Sequence, residues 1–338
     1  MGSMTAPVLV LGGDTGGTKT HLGLYRAARG ELSLVRDRMY ATTAYPSLEA
    51  VLLDFIAAGH GAEGSVAAAC FGVPGPIIDG VSHATNVPWD MRESSLSAGL
   101  NGAPTMLVND LEATAYGVKY LTAAELRVLQ AGEARGGRAH VAVIAAGTGL
   151  GEGALVALAD GRTQAVATEG GHCDFAPRGA EQVALLEFLA HEFGHVSVER
   201  VLSGPGLHNI YRFLLAQGGD PASDWLQERM NEEDPSAAIS AAALAARDAR
   251  CVRALEIFAE IYGAEASNLA LKYMALGGVY VCGGIAPKVL PFLERGGFIR
   301  AFLDKGRLGA TLARIPVRVS LNPSTALIGA AHVAASMA

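Results

Sequence analysis

Two glycine-rich segments supply the first chemistry legible in this 338-residue sequence. In Gly13-Asp14-Thr15-Gly16-Gly17-Thr18-Lys19, adjacent glycines let successive N–H groups point into one concavity, which suits an anion, and Thr15 and Thr18 add hydroxyl donors. Asp14 repels a phosphate directly but suits a hydrated Mg²⁺ beside one. The stretch narrowly misses the Walker A loop: Thr18 stands where that pattern has Lys, and the residues that follow alternate like a strand. Gly147-Thr148-Gly149-Leu150-Gly151 repeats the threonine–glycine composition. Gly149-x-Gly151-x-x-Ala154 also meets the loose dinucleotide spacing, yet residues 155–158 read as a strand where that motif needs a helix. Each loop alone also reads as a plain glycine turn. Two such turns, each after a buried strand, favour phosphate binding.

Three further groups carry reactive side chains. Asn109-Asp110 closes a buried strand at the end where open α/β sheets place ligand groups; the plain alternative is that Asp110 caps a helix beginning at Leu111. Glu169-Gly170-Gly171-His172 sets an acceptor and a donor–acceptor beside two glycines, which suits the vicinal hydroxyls of a polyol, or is simply a turn with a surface Glu and a packed His. His191-Glu192-Phe193-Gly194-His195 matches the zinc-protease pattern H-E-x-x-H. That chemistry needs both histidines on one helical face. Gly194 is a helix terminator and residues 196–198 look extended, so His195 is expected past the helix end. No third histidine follows at the longer metzincin spacing, and a chance match is the reading adopted.

The elements that must position these residues follow from apolar runs and breakers. Strands are expected at 8–11, 18–25, 32–40, 66–73, 104–108, 141–145, 154–159, 279–282 and 316–321. Helical spacing appears at 48–58, after the N-cap Ser47, and at 111–121, 180–193, 207–217, 237–274 and 324–337. The order strand, threonine–glycine turn, strand occurs near residue 14 and again near residue 148. Two α/β lobes facing a cleft, divided near residue 120, are the architecture this predicts.

Composition narrows the class. A chain of this length suggests about two domains. The net charge of −7 comes with no basic stripe, which argues against a nucleic-acid partner. Cys70, Cys173, Cys251 and Cys282 are scattered, as expected of buried thiols in a reducing cytosol. No basic-then-apolar leader opens the chain, and Met1-Gly2-Ser3 before Met4 looks like an expression remnant. Residues 141–159 carry one charge, Glu152, but are broken by glycines, so two strands are expected there and not a membrane span.

Taken in order, Asp14-Thr15-Gly16-Gly17-Thr18, Asn109-Asp110, Gly147-Thr148-Gly149-Leu150-Gly151, Glu169-Gly170-Gly171-His172 and the stretch from Gly194 to Gly204 resemble the bacterial glucokinases, within the actin-like ATPase superfamily. Gly283-Gly284-Ile285-Ala286-Pro287 is similar to their late adenosine-side loop. The resemblance covers nearly the whole chain. It implies two RNase-H-like lobes closing on a hexose and ATP: a small lobe of residues 4–119 joined by the C-terminal helix 324–338, and a large lobe of 120–323. Asp110 would accept the proton of the sugar 6-hydroxyl. Asn109, Glu169, His172 and Glu199 would hold other hydroxyls. Asp14, Thr15, Gly16, Gly17, Thr18, Gly147, Thr148, Gly149, Gly283 and Gly284 would hold ATP, with Asp14 on Mg²⁺ through water. A cytoplasmic homodimer making glucose 6-phosphate is implied. His191 is not part of the family pattern. A sister repressor/kinase group adds a Cys-rich zinc motif, for which only Cys173 is nearby, and a DNA-binding helix pair, for which the first loop leaves no room. Two alternatives stand beside the kinase: a non-catalytic sugar or nucleotide sensor on the same fold, which the intact Asp110 disfavours, and a zinc peptidase through His191 and His195.

Overall fold

Strand β1, Val8–Thr15, is apolar along both faces because helices cover both. Leu9 and Leu11 face a core shared with Leu48, Val51, Leu52 and Phe55 of the helix Leu48–Ala58. Val10 points the other way, into a core with Leu327, Ala330, Ala331 and Ala334 of the helix Thr325–Met337. The computed structural model that shows this describes residues 6–59, 64–84, 87, 89–133, 139–218 and 223–338, so Met1-Gly2-Ser3 lies outside the described residues.

The chain divides into two compact units, 1–122 with 322–338, and 123–321. In the first, β2 (Lys19–Ala28) and β3 (Glu31–Ala41) continue from β1 as an antiparallel meander. β4 (Val66–Val73) then joins β1 in parallel. A small sheet of β5 (Ile77–Ile78), β6 (Val81–His83) and β7 (Asp90–Arg92) follows. β8 (Thr105–Asn109) adds to β4 in parallel, giving the order β3-β2-β1-β4-β8. The helices Asp110–Gly117 and Thr325–Met337 cross where a side chain would not fit: a Cβ on Gly117 would lie 1.9 Å from the Thr325 carbonyl oxygen, and one on Gly329 1.8 Å from that of Ala113.

The second unit repeats the scheme. It contains β9 (Leu126–Gln130), β10 (Val141–Ala146), β11 (Leu150–Ala157), β12 (Thr163–Thr168), β13 (Gly278–Cys282) and β14 (Val317–Ser320), in the order β12-β11-β10-β13-β14-β9. β10, β11 and β12 form the meander, β13 and β14 add in parallel, and β9 closes the edge antiparallel. The glycine-broken stretch 141–159 is thus a hairpin. Among the described residues no helix is long and apolar enough to cross a membrane.

Several elements differ from the expectation. The helical stretch expected over 237–274 is two helices, Pro235–Leu244 and Ala249–Tyr273. Ala246 adopts φ 52°, which breaks the first, and Asp248 caps the second through the Cys251 N–H at 2.9 Å. The α-helix expected over 111–121 runs from Asp110 to Gly117 and tightens into a 3₁₀ turn, Val118–Tyr120. β9 and β12 were not expected, because neither carries the clean alternation of a half-buried strand.

Candidate active site

In the first unit, β1, β4 and β8 run parallel, with Asp14 opposite Gly72 and Val73 opposite Asn109. Their C-terminal ends therefore lie together. This brings Asp14 and the pair Asn109-Asp110 to one edge of one sheet, the usual place for ligands in such sheets. Burial, and then the negative charge of Asp110, push the Asp14 carboxyl from 3.8 up to about 7. Thr15 is 1% exposed and its hydroxyl has no hydrogen-bond partner among the described residues. Gly16 N–H donates to the Lys19 carbonyl at 2.8 Å to close the turn, while Thr18 projects into solvent. Thr42 props the turn from below: its hydroxyl donates to the Gly16 carbonyl at 2.8 Å and lies 3.0 Å from the Thr20 hydroxyl. No motif pointed to Thr42, which lies 26 residues from its partner and signals only as a buried polar residue.

The helix after β8 begins at Asp110, and its cap is Asn109, not Asp110. Asn109 Oδ1 accepts from Leu111 N–H at 2.8 Å, and Glu112 accepts in return from Asn109 N–H at 3.1 Å, forming a capping box. Asn109 Nδ2 donates to the Gly75 carbonyl at 3.3 Å, which leaves one amide hydrogen for a ligand. Asp110 occupies the first helical position, where the positive end of the helix dipole favours its anion.

The second unit gathers the remaining residues. The Gly147 turn joins β10 to β11, with Gly147 N–H donating to the Gly149 carbonyl at 2.8 Å. Thr148 is exposed at its tip, and a Cβ on Gly147 or Gly284 would meet nothing within 4 Å. Gly283 follows β13, the parallel neighbour of β10, and its φ of +83° and the Ala146 carbonyl oxygen, 2.4 Å from a would-be Cβ, exclude a side chain. Two open-faced glycine turns thus share one sheet end, a cradle of backbone suited to phosphates.

Glu169 precedes and His172 ends a 3₁₀ turn, Gly170–His172, with side chains 71% and 63% exposed and 4.0 Å apart. The turn is zipped to the segment after the Gly179–Phe193 helix: Phe175 N–H donates to the Val196 carbonyl, and Val198 N–H to that of Cys173, each at 2.9 Å. That pairing delivers Glu199. Its Oε2 accepts from Leu150 N–H at 2.8 Å and fills the space that a Cβ on Gly149 would need, 2.6 Å away. Glu199 therefore ties the Glu169–His172 region to the Gly147 turn and keeps one carboxylate oxygen clear of that bond.

The H-E-x-x-H histidines do not share a helical face. The helix ends at Phe193, Gly194 takes φ 68°, and His195 beyond it pairs with Asp174 Oδ1 at 2.8 Å. Among the described residues no group of three metal-ligating side chains is assembled. The reading of 149–154 as a hairpin also holds, since β11 and not a helix follows the glycines.

A family model described as Glucokinase matches residues 11–337. A curated glucokinase from Synechocystis sp. is 41% identical, over 99% of each chain. Among solved structures, a glucokinase from an Antarctic psychrotroph matches with a TM-score of 0.84 at 30% identity, covering 98% of this chain and 99% of its own. A glucokinase of the ROK family from Streptomyces griseus, solved with glucose and AMPPNP, shares the fold at a TM-score of 0.64 and 24% identity, over 97% of this chain and 99% of its own. The fold is that of the actin-like sugar kinases.

Proposed function

The chain belongs to the glucokinase family, and on that premise we propose that it transfers the terminal phosphoryl group of ATP to the 6-hydroxyl of glucose, with the two compact units acting as the small and large lobes of the kinase. One observation supports this most directly. Asp14, beside a glycine turn, and Asp110, at a helix start, lie at one sheet end close enough for the charge of one to raise the other.

Phosphoryl transfer rests on positioning and on neutralising charge. Asp110 takes the proton of the attacking hydroxyl as the bond to phosphorus forms. Asn109, Glu169, His172 and Glu199 hold the remaining hydroxyls, carboxylates accepting and the amide donating. Backbone N–H groups of the turns at 14–18, 147–149 and 283–284 hold the phosphates. Asp14 fits a hydrated Mg²⁺: it offers hard oxygen donors, and a cation alongside would favour the ionised form that burial and the Asp110 charge oppose. When bound, Mg²⁺ offsets phosphate charge. We read the chain further as a cytoplasmic homodimer, a location in keeping with its four free thiols, of which Cys70, Cys251 and Cys282 are buried as expected and Cys173, beside the Gly170–His172 turn, is exposed instead.

The test is ADP release across a panel of hexoses with Asp110→Asn alongside. The variant should bind glucose nearly as well and turn over about 10²–10⁴-fold more slowly. Near-normal turnover removes Asp110 from the chemistry. Glucose and ATP binding with no ADP from the unaltered protein would instead favour the sensor.

A further inference from the structure

Directly beneath the Glu169–His172 turn lies a carboxyl group that the mechanism does not use. Glu152, on β11, is 1% exposed, and neither of its oxygens has a hydrogen-bond partner among the described residues. Its Oε2 lies against Gly170, where a Cβ would be only 2.2 Å away. The same spot is fastened by Thr168, opposite Glu152 on β12: its hydroxyl donates to the Glu152 carbonyl at 3.2 Å and accepts from Gly170 N–H at 3.1 Å.

The group facing Glu152 is a second buried acid, Glu265 of the helix Ala249–Tyr273, 6% exposed. Glu265 Oε2 accepts from Asn268 Nδ2 at 2.8 Å, and its Oε1 is 3.7 Å from Lys272 Nζ. Asn268 is in turn engaged by Lys305. Tyr262 and Tyr273 of the same helix also feel the Glu152 charge. The donors of Asn268 and Lys272 are thus directed at Glu265, and among the described residues no N–H or O–H is bonded to the Glu152 side chain, which Lys272 reaches only through its charge. Two buried carboxylates side by side, one with no donor, would leave an uncompensated charge. A single proton resolves this, held on Glu152 and donated to Glu265.

We propose that Glu152 is a positioning residue for the sugar-binding turn: protonated, it hydrogen-bonds Glu265 and forms the floor on which Gly170 rests, and when the proton leaves to solvent the turn carrying Glu169 and His172 shifts. This rests on the reading that those two residues bind the sugar. Burial first, and then the Glu265 charge, push Glu152 from 4.5 up to about 8 against the opposing charge of Lys272, so the proton would be lost on the alkaline side of neutrality.

Glutamine at this position keeps the shape, donates to Glu265 and cannot lose a proton. Calorimetric glucose affinity should fall about fivefold or more for the unaltered protein between about pH 7 and pH 9, with ATP affinity steady, and stay flat for Glu152→Gln. Glu265→Gln should flatten the profile as well. Glu152→Ala should bind glucose weakly at both pH values, with Gln rescuing it. His172 is common to all the proteins and cancels in the comparison. An unaltered alkaline fall in both Gln variants overturns the proposal. So does a melting temperature that varies with pH in parallel for Glu152→Gln and the unaltered protein without sugar, since that arm does not depend on where glucose binds. The underlying reading fails separately, if Glu169→Gln leaves glucose affinity unchanged.

Discussion

Replacing Asp14 by Asn should make the empty protein more stable in mild alkali while disabling it as a kinase. The carboxyl sits near 7, against 3.8 for the ordinary group, held up by burial and by Asp110. The folded chain therefore keeps a proton that the unfolded chain gives up between about pH 4 and pH 7. The stability this contributes is complete below about pH 4 and is lost as the pH rises through about 7. About three pH units at ~1.4 kcal/mol each place the loss at up to about 4 kcal/mol by pH 8. Asn removes that loss and lifts the repulsion on Asp110, but forfeits the cation. By scanning fluorimetry, Asp14→Asn should match the unaltered protein most nearly at about pH 4 and below and melt several degrees higher near pH 8, at roughly 2–4 °C per kcal/mol. Saturating Mg-ATP should close the gap, because it stabilises only the ionised Asp14. A melting difference that is the same at both pH values, or an Asn variant that is the less stable near pH 8, would refute the claim that Asp14 is strained by its own charge.

Further tests address the second unit and the zinc pattern. Glu199→Gln should raise the glucose KM by about tenfold, the worth of roughly 1.4 kcal/mol of charge-assisted hydrogen bonding, with a smaller effect on ATP; steady-state kinetics with each substrate varied will tell, and equal KM values would remove Glu199 from the sugar set. Gly283→Ala forces a side chain onto a φ of +83° and to within 2.4 Å of the Ala146 carbonyl oxygen. It should cost about 1–3 kcal/mol of stability and weaken ATP binding, read by denaturant melts and nucleotide titration. His191→Ala and His195→Ala should leave ADP release unchanged, and elemental analysis should find well below one zinc per chain; stoichiometric zinc lost on either substitution would revive the peptidase reading.

What the sequence disclosed tracks how local each signal is. The first meander and its glycine turn are written into residues 8–40, and the Ser47 cap is observed through Ala50 N–H at 3.2 Å. Gly194 marked the end of its helix because a single residue carries that instruction. Asn109 was harder. Two adjacent residues could each cap, and the capping box with Glu112 decided between them. The break at Ala246 was invisible, since alanine favours a helix and only packing can hold it at φ 52°. β9 is specified by its partner β14, almost 190 residues away, and not by its own alternation. Thr42 and Glu265 escaped notice for the same reason, and Glu152 showed only as the lone charge of its stretch. Each is an unremarkable residue type whose meaning comes from a neighbour distant in sequence.

The helix Thr325–Met337 covers the sheet of the first unit, yet it is encoded after the whole of the second. During synthesis the first sheet emerges with one flank covered only by the short helix Asp110–Gly117: Val10, Cys70 and Val108 wait for Leu327, Ala330 and Ala331 while roughly 200 intervening residues are added, about 10–40 s at ordinary ribosomal speed. The second unit can finish folding first, and the flank of the N-terminal sheet is completed only after the whole of the second unit has been made.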